Sequence, residues 1–285
     1  MKLSIIIPAF EEPYLNRTID SLLANAAGEV EVIPVIDGYD PGPLPKDSRV
    51  QPVVLKRNRG MRGAINAGLE AAKGEFVAKV DAHVAFAPGF DFILTRDMAP
   101  SHLIIPRRYS LDEDSWEPAR ITRYFRDYHY FSAPVESESG YGMFVGEWKS
   151  RDRARRGIAV DETMAFQGSF WLAHRRYFLE QVGLLDDRPE TYGPFSGDQL
   201  EIGLRYWLGG GEIKVNKNTW YAHLSKRRHH YLGGGFSRRH KGDAQALAGN
   251  EWAARHWTNG GDPGMLHPLS WLVERFSPVP TWGNC

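Results

Sequence analysis

Asp81 and His83 stand one residue apart at the end of an apolar run, in the stretch "GEFVAKVDAH" (74–83). A carboxylate and an imidazole at that spacing, on a short stiff turn, can give a divalent cation two ligands. The cation's remaining positions stay open for phosphate oxygens and water. The same pair is also compatible with a turn-capping aspartate and a half-buried, hydrogen-bonded histidine. A third ligand separates the two readings. The segment "TWYAHLSKRRHHYLGGGFSRRHKG" (219–242) offers one in His223, at the end of another short β-like run.

His223 leads into Lys226, Arg227, Arg228, Arg238, Arg239 and Lys241, with no acid from 226 to 242. His229, His230 and His240 add charge conditional on pH. Gly233, Gly234 and Gly235 separate the two basic clusters and give hinge-like freedom. A cation plus a basic cover is how a departing pyrophosphate is neutralised; the alternative is a solvated loop. In "GDQLEIGLRYW" (197–207), Asp198 and Glu201 are three apart and share a helix face. Asp198 suits the positive end of the helix dipole. A capping box, with Asp198 as cap and Glu201 at its third position, is the competing and compatible reading.

These residues need a scaffold. "LSIIIPAF" (3–10) is a continuous apolar run, as in a strand buried on both faces. Leu15, Ile19, Leu22, Leu23 and Ala26 form one helical stripe after it. Further strands are expected at 29–37, 49–56 and 75–81, with an Ala-rich helix at 60–74 capped by Gly74. This alternation predicts a mainly parallel α/β sheet with helices on both faces. Ligands of such sheets bind beyond the carboxyl ends of the strands, so Asp37, Asp81 and His83 are expected on one rim. Residues 107–142 read as excursions over the sheet, 165–187 as strand then helix, and 196–215 as helix then strand.

Bulk composition is that of an ordinary globular protein: 285 residues, 42% hydrophobic and 25% charged. Lys+Arg and Asp+Glu both total 35, so any polyanion site is local. The one cysteine, Cys285, excludes an intrachain disulfide and a thiolate metal cluster. The N-terminal apolar run reads as a strand, not a signal peptide, and no stretch approaches the ~20 apolar residues of a membrane span.

In order and spacing, "SIIIPAFEE", "VIDGYD", "GMRGAINAG", "KGEFVAKVDAH", "FQGSFWLAHRRYF", "SGDQLEIGLRYWLGGG" and "YAHLSKRRHHYLGGG" resemble a nucleotide-sugar glycosyltransferase of the GT-A fold. The chain is most similar to the catalytic domain of the polypeptide N-acetylgalactosaminyltransferases, over roughly residues 3–257. The resemblance implies a Rossmann-like α/β domain spanning 1–285. Its nucleotide-binding half would be 1–100, its acceptor and catalytic half 101–260, and its tail 261–285. It implies Mn²⁺ (or Mg²⁺) on Asp81, His83 and His223, and a UDP-sugar donor whose uracil or ribose meets Asp37. Pro8, Ala9, Glu11 and Arg62 would hold the nucleotide. Gly168 and Ser169 would lie beneath the sugar, with Asp198, Gln199 and Glu201 facing it. Lys226, Arg227 and His229 would cover the diphosphate, Arg227 acting in catalysis.

Asp198 and Gln199 stand where the family has Glu and Asn, which shifts a carboxyl group by one methylene. Family members are typically membrane-anchored, disulfide-bearing and followed by a lectin module. None of these is expected here, which points to a soluble cytoplasmic enzyme of a bacterium or phage-infected host, with no stable membrane association. The expected reaction moves a hexose or N-acetylhexosamine to an acceptor hydroxyl with retention, the acceptor being a protein Ser/Thr. Basic segments 151–156 and 225–241 also suit a hydroxymethylated base in DNA, and a glycan acceptor or an inverting reaction with Asp198 as base is the other branch. A metal-dependent hydrolase would leave Asp37, Arg62 and the basic segment without a task, and a non-catalytic sugar-nucleotide binder would bind the UDP-sugar with no turnover beyond slow hydrolysis.

Overall fold

The computed structural model describes residues 2–119, 125–137, 140–195, 197–225 and 244–283. The first half follows the sequence pattern. Strands β1 (Lys2–Ala9), β2 (Glu29–Asp37), β3 (Val53–Leu55) and β4 (Phe76–Val80) are parallel, in the order β4-β1-β2-β3. Helices α1 (Leu15–Asn25) and α2 (Gly60–Ala71) cross between them on opposite faces. In β1, Ile5 and Ile7 join the core beneath α1, while Ile6 joins the core beneath α2. That two-residue alternation inside one unbroken apolar run is what burial on both faces requires.

The chain continues through β5 (Val84–Phe86), α3 (Phe90–Thr95) and β6 (His102–Ser110). Short strands β7 (Phe125–Arg126), β8 (His129–Phe131), β9 (Val135–Ser137), β10 (Gly140–Gly142) and β11 (Val145–Glu147) follow, then α4 (Lys149–Ala154). Strand β12 (Val160–Glu162), β13 (Phe170–His174), α5 (Arg175–Gln181), α6 (Asp198–Leu208) and β14 (Glu212–His223) return to the sheet. Helices α7 (Ala244–Thr258) and α8 (Leu269–Phe276) close the described chain.

The full strand order is β12-β14-β6-β13-β4-β1-β2-β3. The sheet is mixed, because β13 enters antiparallel to both β4 and β6. Two reversals restore direction, so β14, parallel to β6, ends on the same rim as β4. This delivers His223 to Asp81 across 142 residues of sequence.

Two local expectations are corrected. The third strand shrinks to three residues, with Val50 only bridging Val32. Helix α2 stops at Ala71, capped by Ala72 in an extended conformation, so Gly74 is no helix cap. Gly74 instead donates its amide to Ser4 Oγ at 2.7 Å, and a Cβ there would lie 2.6 Å from the Lys2 carbonyl. The glycine is required by close approach of backbone, not by helix termination.

Candidate active site

Asp81 follows β4, His83 lies two residues on, and His223 is the last residue of β14. Their ligand atoms all fall within 4.8 Å of one another. His223 Nε2 is 3.1 Å from Asp81 Oδ2, and His83 Nε2 is 4.0 Å from the same oxygen. Adjacent ligands of a six-coordinate ion with bonds of ~2.1 Å sit about 3 Å apart, so the cluster fits one cation with little movement. Among the described residues this is the one such group.

The turn is fixed by backbone bonds. The Asp81 amide donates to the Ser169 carbonyl (3.0 Å), and the Leu224 amide donates to the His83 carbonyl (3.1 Å). Burial by itself would raise the Asp81 carboxyl, but the Lys79 ammonium, His223 and His83 outweigh it and hold it well below the usual carboxylate range. Burial pushes the His223 imidazole down to about 3, against the pull of Asp81, so the ring is neutral near pH 7. Arg108 Nη2 lies 3.1 Å from His223 Nδ1 and donates to it, which leaves the ring proton on Nε2, facing Asp81. Nε2 is the ring nitrogen that would hold a cation beside Asp81, with the ring proton then on Nδ1.

Three residues beside the cluster escape a reading by motif. Glu12 Oε2 lies 3.2 Å from His83 Nδ1, and its Oε1 accepts from the Tyr14 amide at 3.3 Å. The sequence reading selected Glu11; that residue is exposed and sits at φ 47°, a left-handed turn that swings Glu12 to the rim. Arg108 is the second, and nothing in the alternation of β6 distinguishes it. The third is Lys79, only 2% exposed, which donates to Asp81 Oδ1 (2.6 Å) and the Gly168 carbonyl (2.7 Å). Desolvation lowers the Lys79 pKa, but Asp81 and Asp198 more than compensate and keep it above its ordinary value.

Asp198 opens α6 and is 3% exposed. Gly197, at φ 57°, is the N-cap, and no side chain caps the helix, so the capping-box reading is replaced. Asp198 Oδ2 is buried without a hydrogen-bond partner. Burial raises its carboxyl pKa, opposed by Lys79 and Arg62. Gly168 presses on it: a Cβ at Gly168 would lie 2.9 Å from Asp198 Oδ2 and 3.3 Å from Gln199 Oε1. Ser169 Oγ shares a hydrogen bond of 2.8 Å with Tyr221 Oη. Asp198, Gln199 and Gly168 therefore adjoin, and Lys79 links them to the Asp81–His83–His223 cluster.

The remaining expected residues are placed as follows. Arg62 and Glu201 are both 0% exposed and paired with each other. Glu201 also pairs with Arg205 at 2.8 Å and accepts from the Asp186 amide at 3.2 Å. Both side chains are enclosed, with their charges paired inside the core. Asp37, 3% exposed, accepts from the Arg59 amide at 2.7 Å and so holds the start of α2. Burial raises its pKa. Pro8 and Ala9 end β1, paired with Val35 and Ile36. Lys226, Arg227 and His229 lie outside the described residues. In the basic segment 151–156, Arg155 pairs with Asp161 and Arg151 lies 5.3 Å over Trp148, so both serve the fold.

With the geometry in place, relatives give it context. The family model described as Glycosyl transferase family 2 matches residues 4–182. Human polypeptide N-acetylgalactosaminyltransferase 9 is 28% identical over 184 residues, covering 63% of this chain and 28% of the relative. Human polypeptide N-acetylgalactosaminyltransferase 18 is 24% identical over 220 residues, covering 77% of this chain and 34% of the relative. The chain thus spans about a third or less of the length of these relatives. Among solved structures, GalNAc-T7 with UDP, GalNAc and Mn²⁺ superposes with a TM-score of 0.64 at 18% identity, over 82% of this chain and 45% of that one. That likeness gives the fold, a GT-A glycosyltransferase architecture. No helix among the described residues is long and apolar enough to cross a membrane.

Proposed function

The chain belongs to glycosyl transferase family 2, and from that premise we propose that it moves a hexose or N-acetylhexosamine from a UDP-sugar to an acceptor hydroxyl, with Mn²⁺ on Asp81, His83 and His223. The observation that carries this reading is the convergence of those three side chains from two distant strands on one rim. A bound divalent ion there supplies positive charge to the departing diphosphate. Asp81 offers Oδ2 to that ion while its Oδ1 stays on Lys79. Asp198, with an unpartnered buried oxygen, accepts from a sugar hydroxyl and fixes the ring above Gly168. The acceptor oxygen then replaces the diphosphate oxygen at the anomeric carbon, and the hydroxyl proton passes to the departing diphosphate.

We assign retention of configuration and a Ser/Thr acceptor on the likeness to polypeptide N-acetylgalactosaminyltransferases. NMR of the product anomer tests the first; an inverted product makes Asp198 the general base instead. The engagement of Arg151 and Arg155 in the fold favours a protein or glycan over DNA. Intact-mass analysis of peptides and hydroxymethylated oligonucleotides after incubation with donor separates these.

The donor assignment is tested by thermal shift. Mn²⁺ with UDP or a UDP-sugar raises the melting temperature, because at 100 times Kd a ligand adds about 2.7 kcal/mol. A shift with GDP-sugars alone would overturn it. Glu12→Gln should weaken Mn²⁺ binding by about 10–100-fold, since a carboxylate behind a ligating imidazole fixes the ring and strengthens its donor. Calorimetric titration reads this directly, and an unchanged Kd would remove Glu12 from the site.

A further inference from the structure

A fully enclosed lysine bonded to a metal-binding carboxylate calls for a reason. Lys79 and Asp81 sit two apart at the end of β4, so both side chains leave the same face. The Lys79 ammonium is 2% exposed and has two anchors, Asp81 Oδ1 at 2.6 Å and the Gly168 carbonyl at 2.7 Å. A Cβ on Gly168 would in turn meet the Asp198 carboxylate at 2.9 Å. Asp198 is 3% exposed and keeps one oxygen unbonded. One buried cation therefore stands between a half-buried carboxylate, Asp81, and a buried one, Asp198, and each belongs to a different part of the site. Without that cation the two carboxylates would lose the counter-charge they share, and Asp198 would be left with the pull of Arg62.

We propose that Lys79 is a resident counter-ion and positioning residue: it balances Asp81 and Asp198 and locks the metal-binding turn to the Gly168 floor whether or not a metal is bound. This goes beyond the sugar-transfer reading and rests on it only for the metal. The ammonium occupies Oδ1 and leaves Oδ2 to face His223 and His83, so Asp81 is offered to a cation through a single oxygen. Rotation of the carboxylate would break the Lys79 bond and pull on the Gly168 carbonyl at the same time. Ligand geometry and sugar floor are thus coupled through one side chain.

The test is a charge cycle read by thermal melting, with and without saturating Mn²⁺, on the wild type, Lys79→Met, Lys79→Gln and the double variant Lys79→Met/Asp198→Asn. In metal-free buffer Lys79→Met melts about 10 °C lower, as expected for a broken buried charge pair in a chain of this size. Mn²⁺ raises Lys79→Met by clearly more than it raises the wild type, because the ion now supplies the missing charge. Lys79→Gln, which keeps a donor but no charge, follows Lys79→Met. Removing one carboxylate in the double variant recovers part of the metal-free loss. Equal Mn²⁺ shifts in wild type and Lys79→Met would reduce Lys79 to a packing residue and overturn the proposal. So would a double variant no more stable than Lys79→Met in metal-free buffer. A wild type that ignores Mn²⁺ would count against the metal site, while the metal-free half of the cycle would still judge Lys79.

Discussion

His83→Ala and His223→Ala should each reduce Mn²⁺-dependent sugar transfer by about 10³-fold or more, with the fold intact. The size follows from the several kcal/mol that a cation supplies to a departing diphosphate, at 1.36 kcal/mol per factor of ten. Each variant removes one of three candidate ligands, and the remaining two come from one turn or from two separate strand ends. Neither histidine anchors the core: their side chains are 15% and 12% exposed at the strand ends, touching at a ring separation of 4.7 Å. Circular dichroism and melting should therefore change little while turnover collapses. Titrating activity against Mn²⁺ checks the cause, because a lost ligand shifts the dependence to far higher metal. Full activity in either variant would mean that the three side chains meet for structural reasons alone.

Much of the first half was legible because its signals are local. An unbroken apolar run, a helical stripe and a terminal acid are each written in a few neighbouring residues, and β1, α1 and Asp81 follow from them. His223 was legible as a residue but not as a neighbour. Its arrival beside Asp81 depends on β13 reversing the sheet, and nothing in a five-residue strand states which neighbours it will pair with. Buried charge was the least legible feature. Lys79 reads as one polar interruption of a strand, and its partners come from residues 81 and 168. Arg62 and Glu201 show what residue type leaves out. Both have the chemistry of a nucleotide or sugar contact, and only the packing of α2 against the start of α6 reveals that they neutralise each other.

That pair sets the other large effect, and it falls on stability. Glu201→Leu should cost about 3–5 kcal/mol and lower the melting temperature by about 10 °C or more. The reason is what the leucine leaves behind. Arg62, 0% exposed, keeps the Asp186 carbonyl at 3.1 Å and the face of Tyr192 at 4.2 Å among its contacts, but loses the carboxylate it is paired with. Arg205 fares better, since it retains Asp262 at 2.6 Å and the Val182 carbonyl at 2.7 Å. The double variant Glu201→Leu/Arg62→Met should recover much of the loss, because replacing both members of a buried pair by apolar side chains of similar size is often neutral. Urea denaturation of both variants gives the comparison. A sugar-contacting Glu201 predicts the reverse pattern: unchanged stability, a large fall in kcat, and no rescue by the second substitution. The distinction matters for the reaction centre itself. Residue 201 lies one turn along α6 from Asp198, so the buried pair fixes the angle at which Asp198 is presented. On this reading one carboxylate of the helix contacts the sugar, and the other holds the helix in place so that it can.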